Sequence, residues 1–345
     1  MPEARPCQLS RVGKEIMELL NVSPRKILLD NPDAARFSFS FEPYADPAPQ
    51  LLEEAGSVTN PLSLRRIGEQ YEIVCGFKRA RAHSLRYKSR KMPAIIYGHG
   101  ELTDEQCLWL NLLDGEGASH LSPVEQAIVL QKFSGIGYDI QRLMMEIAPR
   151  IGLPRSYTYL ENHLKLLSLD PEILRGIHSG EFGVEQAFLL LPFKSEESLA
   201  LFNLLKACRA NLNETRELIS LILETAALHD TEPIAFIKTQ MNQLVASEPS
   251  SERRRLHILR KSLRNERYPI LSTAEAKFKG AIGRLDLGNK CRIEPPQYFE
   301  GEDISIIIRA ANYEELHAVA QKLLSADVRK TIRMLFSVLN GEADE

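Results

Sequence analysis

Residues 71–83 read Tyr-Glu-Ile-Val-Cys-Gly-Phe-Lys-Arg-Ala-Arg-Ala-His, and this stretch decides the expected fold of the first part of the chain. Its β-branched beginning predicts a short strand that ends at Gly76, where a basic helix begins at once. Glycine has no Cβ, so the backbone at Gly76 can come close to a ligand. Lys78, Arg79 and Arg81 then lie beside the free N–H groups of a helix start, an arrangement that suits phosphate. The alternative is an ordinary glycine turn before a solvated basic helix.

The composition is that of a globular protein with local basic clusters. The chain has 345 residues, 44% hydrophobic residues and a net charge of −3, so the whole molecule is not a polycation. Residues 61–100 nevertheless carry nine Lys/Arg against two acidic residues, and residues 251–270 carry seven against two. Each cluster indicates either a polyanion site or a solvated helix face.

Several classes of protein are excluded by the residue pattern. The five cysteines are odd in number and have no C-x-x-C pair, which argues against a disulfide framework or a zinc site. No apolar run approaches the roughly 20 residues of a membrane span, so a cytoplasmic protein is expected. No clustered carboxylates suggest a metal pair, and nuclease activity is therefore not expected.

The first part of the chain is predicted to be mixed α/β, with a helix-turn-helix unit after it. Strands are expected at 37–41, 60–67, 71–75 and 93–97, with helices at about 77–90 and 103–113. Ser122-Pro-Val-Glu125 has the pattern of a helix start.

Two helices joined by a glycine turn are expected at about 139–167. The first carries one apolar face over 140–151, although Pro149 should kink it, and Gly152 ends it. The second, from about 154 to 167, places Leu160, Leu164 and Leu167 on one side. Arg155, Thr158, Asn162 and Lys165 project from its other side. Such a polar stripe suits base reading in the DNA major groove, and an ordinary helical hairpin is the alternative.

The remaining chain is predicted to be helical as far as a linker at 247–251. The helix that follows has Leu256, Leu259 and Leu263 on one side and basic residues elsewhere. It could bind nucleic acid or be a solvated helix packed by its leucines, and the second interpretation is favoured. From about residue 284 the pattern predicts a small α+β unit.

Four stretches then resemble one known family. They are 55–62 (Ala-Gly-Ser-Val-Thr-Asn-Pro-Leu), 71–82, 121–127 (Leu-Ser-Pro-Val-Glu-Gln-Ala), and 148–156 (Ala-Pro-Arg-Ile-Gly-Leu-Pro-Arg-Ser) with the run 164–173. In order and spacing they resemble the ParB family of bacterial chromosome- and plasmid-partition proteins. The second is similar to the family's Y-E-I-V-x-G-E-R-R-x-R-A box, the third to L-S-P-I-E-E-A, and the last to its helix-turn-helix.

The resemblance covers residues 20–195 and, together with the residue pattern of the C-terminal part, predicts an α+β chain of three parts. Residues 20–118 would form a ParB/sulfiredoxin-like N-terminal α/β domain, and 119–246 an all-α DNA-binding domain with the helix-turn-helix. Residues 252–345 would hold the basic helix and a small C-terminal α+β unit. The DNA-binding residues would be Arg155, Ser156, Thr158, Asn162 and Lys165.

In this family the basic box grips a nucleotide, usually CTP, and the resemblance implies CTP with Mg²⁺ as the ligand. The nucleotide-binding residues would be Gly76, Lys78, Arg79, Arg81 and Asn111. The chain departs from the family pattern where Phe77 and Leu110 replace acids and where Asp114 replaces an arginine. Asp114 would repel a bound polyanion, and the loss of the acid at Leu110 removes a group that could position water.

The leading hypothesis is a sequence-specific DNA-binding protein in partition or regulation. The alternative is a CTP hydrolase with the 76–81 box as active site, and a scaffold with a vestigial box is a third reading. Apart from a weak CTPase, no enzymatic activity is expected. The expected partners are double-stranded DNA, a second copy of the chain in a homodimer and a partition ATPase, at the nucleoid.

Overall fold

The computed structural model describes residues 18–29, 32–46, 61–98, 100–113, 121–246, 251–283, 285, 290–299 and 301–339. The chain divides into two units, Met1–Leu199 and Ala200–Glu345. Asp114, the motif residues 55–60 and most of the predicted linker at 247–251 lie outside the described residues.

Unit 1 begins with a four-stranded sheet. In the order β1-β4-β2-β3, its strands are β1 (Glu18–Val22), β4 (Met92–Tyr97), β2 (Leu62–Ile67) and β3 (Gln70–Cys75). β2 and β3 form an antiparallel hairpin, whereas β4 lies parallel to β2 and antiparallel to β1. Helix α1 (Phe77–Tyr87) connects β3 to β4, so the strand, glycine and basic helix predicted from the sequence are confirmed.

One core joins the sheet region to the helices that follow it. Helix α2 (Asp104–Leu113) buries Trp109, which shares a cluster of buried residues with Phe37 and Phe133. The indole Nε1 of Trp109 donates a hydrogen bond to the hydroxyl of Tyr138 at 3.1 Å, and that hydroxyl donates to Oε1 of Glu105 at 2.6 Å. Burial and this acceptor raise the pKa of Tyr138 to about 12.

The predicted helix-turn-helix region is present, with one difference in its first helix. Helix α3 (Pro123–Gly135) precedes α4, which begins as Ile140–Arg142, widens into a π-helical segment at Leu143–Ile147 and tightens into a 3₁₀ turn at Ala148–Ile151. The sequence predicted one amphipathic helix with a kink at Pro149, but not the π-helical segment before it. Pro149 explains the difference, because it has no N–H to donate and its ring crowds the preceding turn.

Helix α5 (Tyr157–Leu166) follows and is the second helix of the motif. Five further helices follow, namely α6 (Pro171–His178), α7 (Val184–Phe188), α8 (Ser195–Cys208), α9 (Leu212–Leu228) and α10 (Pro233–Ala246). The helical character of this part of the chain is therefore confirmed. No helix among the described residues is both long and apolar enough to cross a bilayer.

Two further helices continue unit 2. The basic helix α11 (Glu252–Arg267) buries Leu256, Leu259 and Leu263, as the sequence predicted. Helix α12 (Pro269–Gly283) comes directly after it and was not anticipated. Its apolar residues do not form a stripe as regular as that of α11, which is why periodicity did not reveal it.

The chain ends in a small α+β unit, as expected. Strands β5 (Cys291–Glu294) and β6 (Ser305–Ile308) pair antiparallel, and helices α13 (Tyr313–Leu323) and α14 (Ala326–Leu339) follow them. The core of this part contains Phe278, Ile293 and Leu335. The overall α+β class predicted from the sequence is thus confirmed.

The strand predicted at 37–41 is wrong. Phe37 and Phe39 are buried, but residues 38–46 follow an irregular path without ladder bonds to a strand. The alternation of Phe and Ser reflects which side chains face the core, and it does not require a neighbouring strand.

Candidate functional site

Gly76 makes the junction between β3 and α1 possible. Its φ of +91° lies in the left-handed region, where a side chain causes strain. A Cβ at this position would stand 2.7 Å from Cδ2 of Leu62 and 3.0 Å from Nη2 of Arg79. Because Gly76 has no side chain, the guanidinium of Arg79 can lie close to the backbone at the start of the helix.

A cleft of about 310 Å³ opens beside this junction. It collects four of the five residues predicted to bind nucleotide: Gly76, Lys78, Arg79 and Asn111. Its volume lies at the lower end of the range for small-molecule sites. The other lining residues mix apolar side chains with Ser38, Ser40 and Glu125.

Two of the predicted residues are engaged by the segment around residues 37–45. The amide Nδ2 of Asn111 donates to the carbonyl of Phe37. Nη1 of Arg81 donates to the carbonyls of Pro43 at 3.2 Å and Ala45 at 2.8 Å. Arg81 therefore holds this segment and does not line the cleft with the other four.

Glu125 is a cleft residue that sequence reasoning did not place there. It belongs to the capping box of α3, where its Oε2 accepts from the backbone N–H of Ser122 at 3.1 Å. Its Oε1 accepts from the backbone N–H of Phe41 at 3.3 Å and lies 3.9 Å from Nζ of Lys78. The capping pattern was visible in the sequence, but its proximity to the basic box was not.

Two residues that depart from the family pattern, Phe77 and Leu110, both pack in hydrophobic cores. Phe77 is buried in the sheet core, and its ring meets Tyr44 edge-on at 5.5 Å. Leu110 packs against the core that contains Trp109. Neither position supplies an acid to the cleft, and among the described residues Glu125 is the one carboxylate that lines it.

The cleft fits an anionic ligand through its glycine cradle and its two cations. Lys78 and Arg79 would hold phosphate groups, and the open backbone at Gly76 would let them come close. The carboxylate of Glu125 works against this, because it lowers the positive charge that such a ligand would meet. No group of three His, Cys, Asp or Glu side chains suited to a metal ion occurs in the described parts of the chain.

The polar stripe predicted on α5 faces outward. Arg155, Ser156 and Thr158 are exposed at the N-terminus of the helix, and Asn162 is half-buried one turn further along. Lys165 is exposed and pairs with Glu161 at 3.0 Å. All five residues predicted to contact DNA thus belong to one helix and its entry turn.

The inward face of α5 differs from the predicted set of three leucines. Leu160, His163 and Leu166 are buried, whereas Leu164 and Leu167 are only half-buried. His163 was expected at the surface with the other histidines, because histidine is intermediate between core and surface residues in its tendency to be buried. Its ring lies 4.8 Å from that of Tyr159 and 5.2 Å from that of Phe188. Burial lowers the pKa of His163 to about 4, so the side chain is neutral at pH 7.

The helical region matches the family model of the ParB HTH domain over residues 119–224. The chain is 31% identical to the chromosome-partitioning protein Spo0J of Thermus thermophilus over 55% of this chain and 65% of that protein. It is 28% identical to the stage 0 sporulation protein J of Bacillus subtilis over 54% of this chain and 62% of that one. The chain thus spans less than two thirds of the length of these relatives.

A similarity of folded structure was also found. A crystal structure of C-terminally truncated ParB from Caulobacter crescentus, complexed to the centromeric parS site, aligns with a TM-score of 0.35 and 21% identity. The alignment covers 57% of this chain and 96% of that one.

Proposed function

We propose that the chain, a divergent member of the ParB family, is a sequence-specific DNA-binding protein in chromosome or plasmid partition or in regulation. One observation carries the proposal: the second helix of the motif buries one face and presents Arg155, Thr158 and Asn162 on the other. A helix that reads the major groove needs this division between a docked face and a polar face.

Each exposed side chain suits a different part of the duplex. Arg155 can donate two hydrogen bonds to guanine, and Asn162 can pair with the edge of adenine. The methyl group of Thr158 suits thymine, and the hydroxyl of Ser156 suits a phosphate or a base edge. Lys165 would contact a phosphate once it leaves Glu161.

We further propose that the cleft binds a nucleotide, with CTP and Mg²⁺ as the expected ligand. Lys78 and Arg79 would hold its phosphates beside the open backbone of Gly76. A bound nucleotide would supply negative charge between the basic box and Glu125 at the start of α3. The site would then connect nucleotide binding to the first helix of the DNA-binding region.

The hydrolase alternative is less well supported by the described residues. Glu125, the carboxylate of the cleft, already accepts bonds from Ser122 and Phe41 and lies near Lys78. These contacts engage one lone pair on each oxygen and fix the carboxylate as part of the capping box of α3, which gives Glu125 a structural role. The chain is therefore proposed to use a nucleotide as a ligand.

A second copy of the chain and a partition ATPase are the proposed protein partners. The C-terminal unit exposes apolar side chains on β6 and on the helices after it, namely Ile306, Ile307, Leu316, Leu324 and Phe336. Contact with a second copy would remove apolar surface of this kind from water, which favours association. We propose that they support a homodimer at the nucleoid.

A genome-wide DNA pull-down with the full chain tests the DNA-binding proposal. We expect a small number of enriched sites with a shared sequence, and the variant Arg155→Ala/Asn162→Ala should lose this enrichment. Uniform recovery of the genome by both proteins would reject sequence-specific binding. For the cleft, isothermal titration with CTP and Mg²⁺ should give binding that Arg79→Ala removes, and no heat at millimolar nucleotide would reject it.

A further inference from the structure

The basic residues of α11 form two rows. One row forms ion pairs with α9, and the other is exposed to solvent. Arg253, Arg260 and Arg267, spaced seven residues apart, form ion pairs with the glutamates Glu214, Glu217 and Glu224 of α9. The N–O distances are 2.7, 2.5 and 2.9 Å. Residues seven apart lie on one face of a helix, so this row fixes α11 against α9 and neutralises its own charge.

A second row of polar and basic residues on α11 faces solvent. Arg254, His257, Lys261 and Asn265 are exposed, at spacings of three or four residues. Within the part of the chain that the structure describes, neither Arg254 nor Lys261 forms an ion pair. These charges therefore remain available to an external partner.

This row borders two depressions. One, of about 810 Å³, lies between α11 and α12, and its lining includes Lys261, Asn265, Ser272, Thr273 and Lys279. The other has a similar volume and lies along Arg254, His257 and Lys261. We call the surface formed by Arg254, His257, Lys261, Asn265 and Lys279 the α11–α12 groove.

We propose that the α11–α12 groove binds the phosphate backbone of duplex DNA, independently of sequence and apart from the helix-turn-helix. Its cations lie beside the neutral hydrogen-bonding groups of Asn265, Ser272 and Thr273. Cationic and neutral donors of these types together make the protein contacts to DNA phosphates. Arg254 and Lys261 are seven residues apart, which places them about 10 Å apart along the helix. This distance lets them contact successive parts of one phosphate strand.

An acidic protein segment fits the groove less well. Protein interfaces have an apolar centre, often with aromatic anchors. The apolar lining of the two depressions consists only of Pro269, Ala276 and Ile258 among the described residues. Glu275 is the one acidic residue of the lining, and it pairs with Arg264 at 3.6 Å.

The test uses the full chain and a labelled duplex of mixed sequence, with fluorescence anisotropy measured over a series of KCl concentrations. The variant Arg254→Ala/Lys261→Ala/Lys279→Ala removes one arginine and two lysines from the groove. The variant Arg329→Ala/Lys238→Ala/Lys330→Ala is the matched control, because it removes the same charges from exposed positions elsewhere in unit 2. Circular dichroism checks the folding of both, and glutamine replacements serve as a second groove variant.

We expect the groove variant to bind the mixed duplex about 10-fold or more weakly at low salt. The slope of log K against log [KCl] should become shallower by about 2 to 3, since each lost phosphate contact removes about 0.9. The control variant should keep the original slope. An unchanged slope in both groove variants would overturn the proposal, even if the helix-turn-helix still binds its specific site.

Two further measurements separate this site from its alternatives. Arg155→Ala/Asn162→Ala should lose preference for the specific site but keep its affinity for the mixed duplex, because the groove remains intact. If this variant loses both, the helix-turn-helix alone accounts for binding and the groove proposal is wrong. If polyglutamate displaces the duplex as well as unlabelled DNA does at equal charge, the groove is a site for acidic protein, and the assignment to DNA is overturned.

Discussion

Nζ of Lys78 lies 3.9 Å from Oε1 of Glu125, so the first turn of α1 meets the first turn of α3 across the cleft. Glu125 is held in place by backbone N–H groups of Ser122 and Phe41. Because the side chain of Lys78 is 58% exposed, the pair contributes little to stability. Its importance lies in the charge that it presents to a ligand.

The first prediction concerns Glu125→Gln. The amide oxygen can still accept a backbone hydrogen bond, but the negative charge beside Lys78 is removed. We expect CTP to bind about 3- to 10-fold more tightly, because a carboxylate no longer repels its phosphates. Isothermal titration in the presence of Mg²⁺ measures the affinity. Glu172→Gln is the control, since it removes an exposed first-turn glutamate of α6 away from the cleft. Weaker binding in Glu125→Gln would mean that the carboxylate helps to hold the ligand.

The second prediction compares two glycines in left-handed conformation. Gly68→Ala should cost about 1 kcal/mol, because φ is +58° but nothing lies within 4 Å of the new Cβ. Gly76→Ala should cost about 2 to 4 kcal/mol, since its Cβ also meets Leu62 at 2.7 Å. Urea unfolding followed through Trp109, the single tryptophan, reports the stability of unit 1. Equal losses in the two variants would show that Leu62 moves aside without cost.

Secondary-structure boundaries that depend on neighbouring residues in the chain could be predicted from the sequence. The β-branched run before Gly76 and the capping box at Ser122 each specify a start or an end within a few residues, and both were placed correctly. The strand predicted at Phe37–Phe41 failed because alternation reports burial, whereas a strand also needs a partner with free ladder positions. At Pro149 a kink could be predicted, but the π-helical turn that absorbs it depends on the surrounding core.

Residues that are close in the chain could be grouped from the sequence pattern, whereas Asn111 was assigned to the same cleft through the family resemblance. Gly76, Lys78 and Arg79 line one cleft because they occupy a single turn. Arg81 was also expected there, but the carbonyls that bind it come from a distant irregular segment. Glu125 was recognised as a capping residue, and its place in the cleft follows only from the packing of α3 against the sheet region. Long-range contacts of this kind leave no periodic signal.

The third prediction separates base reading from phosphate contact on α5. Asn162→Ala should relax preference for the specific site by about 10- to 100-fold while it leaves binding to random duplex nearly unchanged. Lys165→Ala should weaken both equally and lower the salt slope by about 1. Its effect should be modest, because Glu161 already pairs with Lys165. Competition titrations with specific and random duplexes measure both quantities. Equal losses on the two duplexes for Asn162→Ala would exclude it as a base reader.

The fourth prediction is a loss of unit 1 stability in mild acid that depends on His163. Burial lowers its folded-state pKa to about 4 from a usual 6.5, so between these values the unfolded chain binds more protons. Stability should therefore fall as pH decreases from about 6.5 to 4, by about 2 kcal/mol at pH 5. His163→Phe keeps a ring between Tyr159 and Phe188 and cannot be protonated, so most of this loss should disappear.

Urea unfolding at pH 7.5 and pH 5, followed through Trp109, measures the effect. A smaller acid sensitivity should remain in His163→Phe, because burial also lowers the pKa of His83. His178→Gln is the control, because it removes an exposed imidazole that contacts Ser122 and leaves the buried His163 in place. The prediction is wrong if His163→Phe loses as much stability between pH 7.5 and pH 5 as the unchanged chain does. That result would mean that the imidazole of His163 can be protonated while it stays buried, and that the contacts of α5 tolerate its charge.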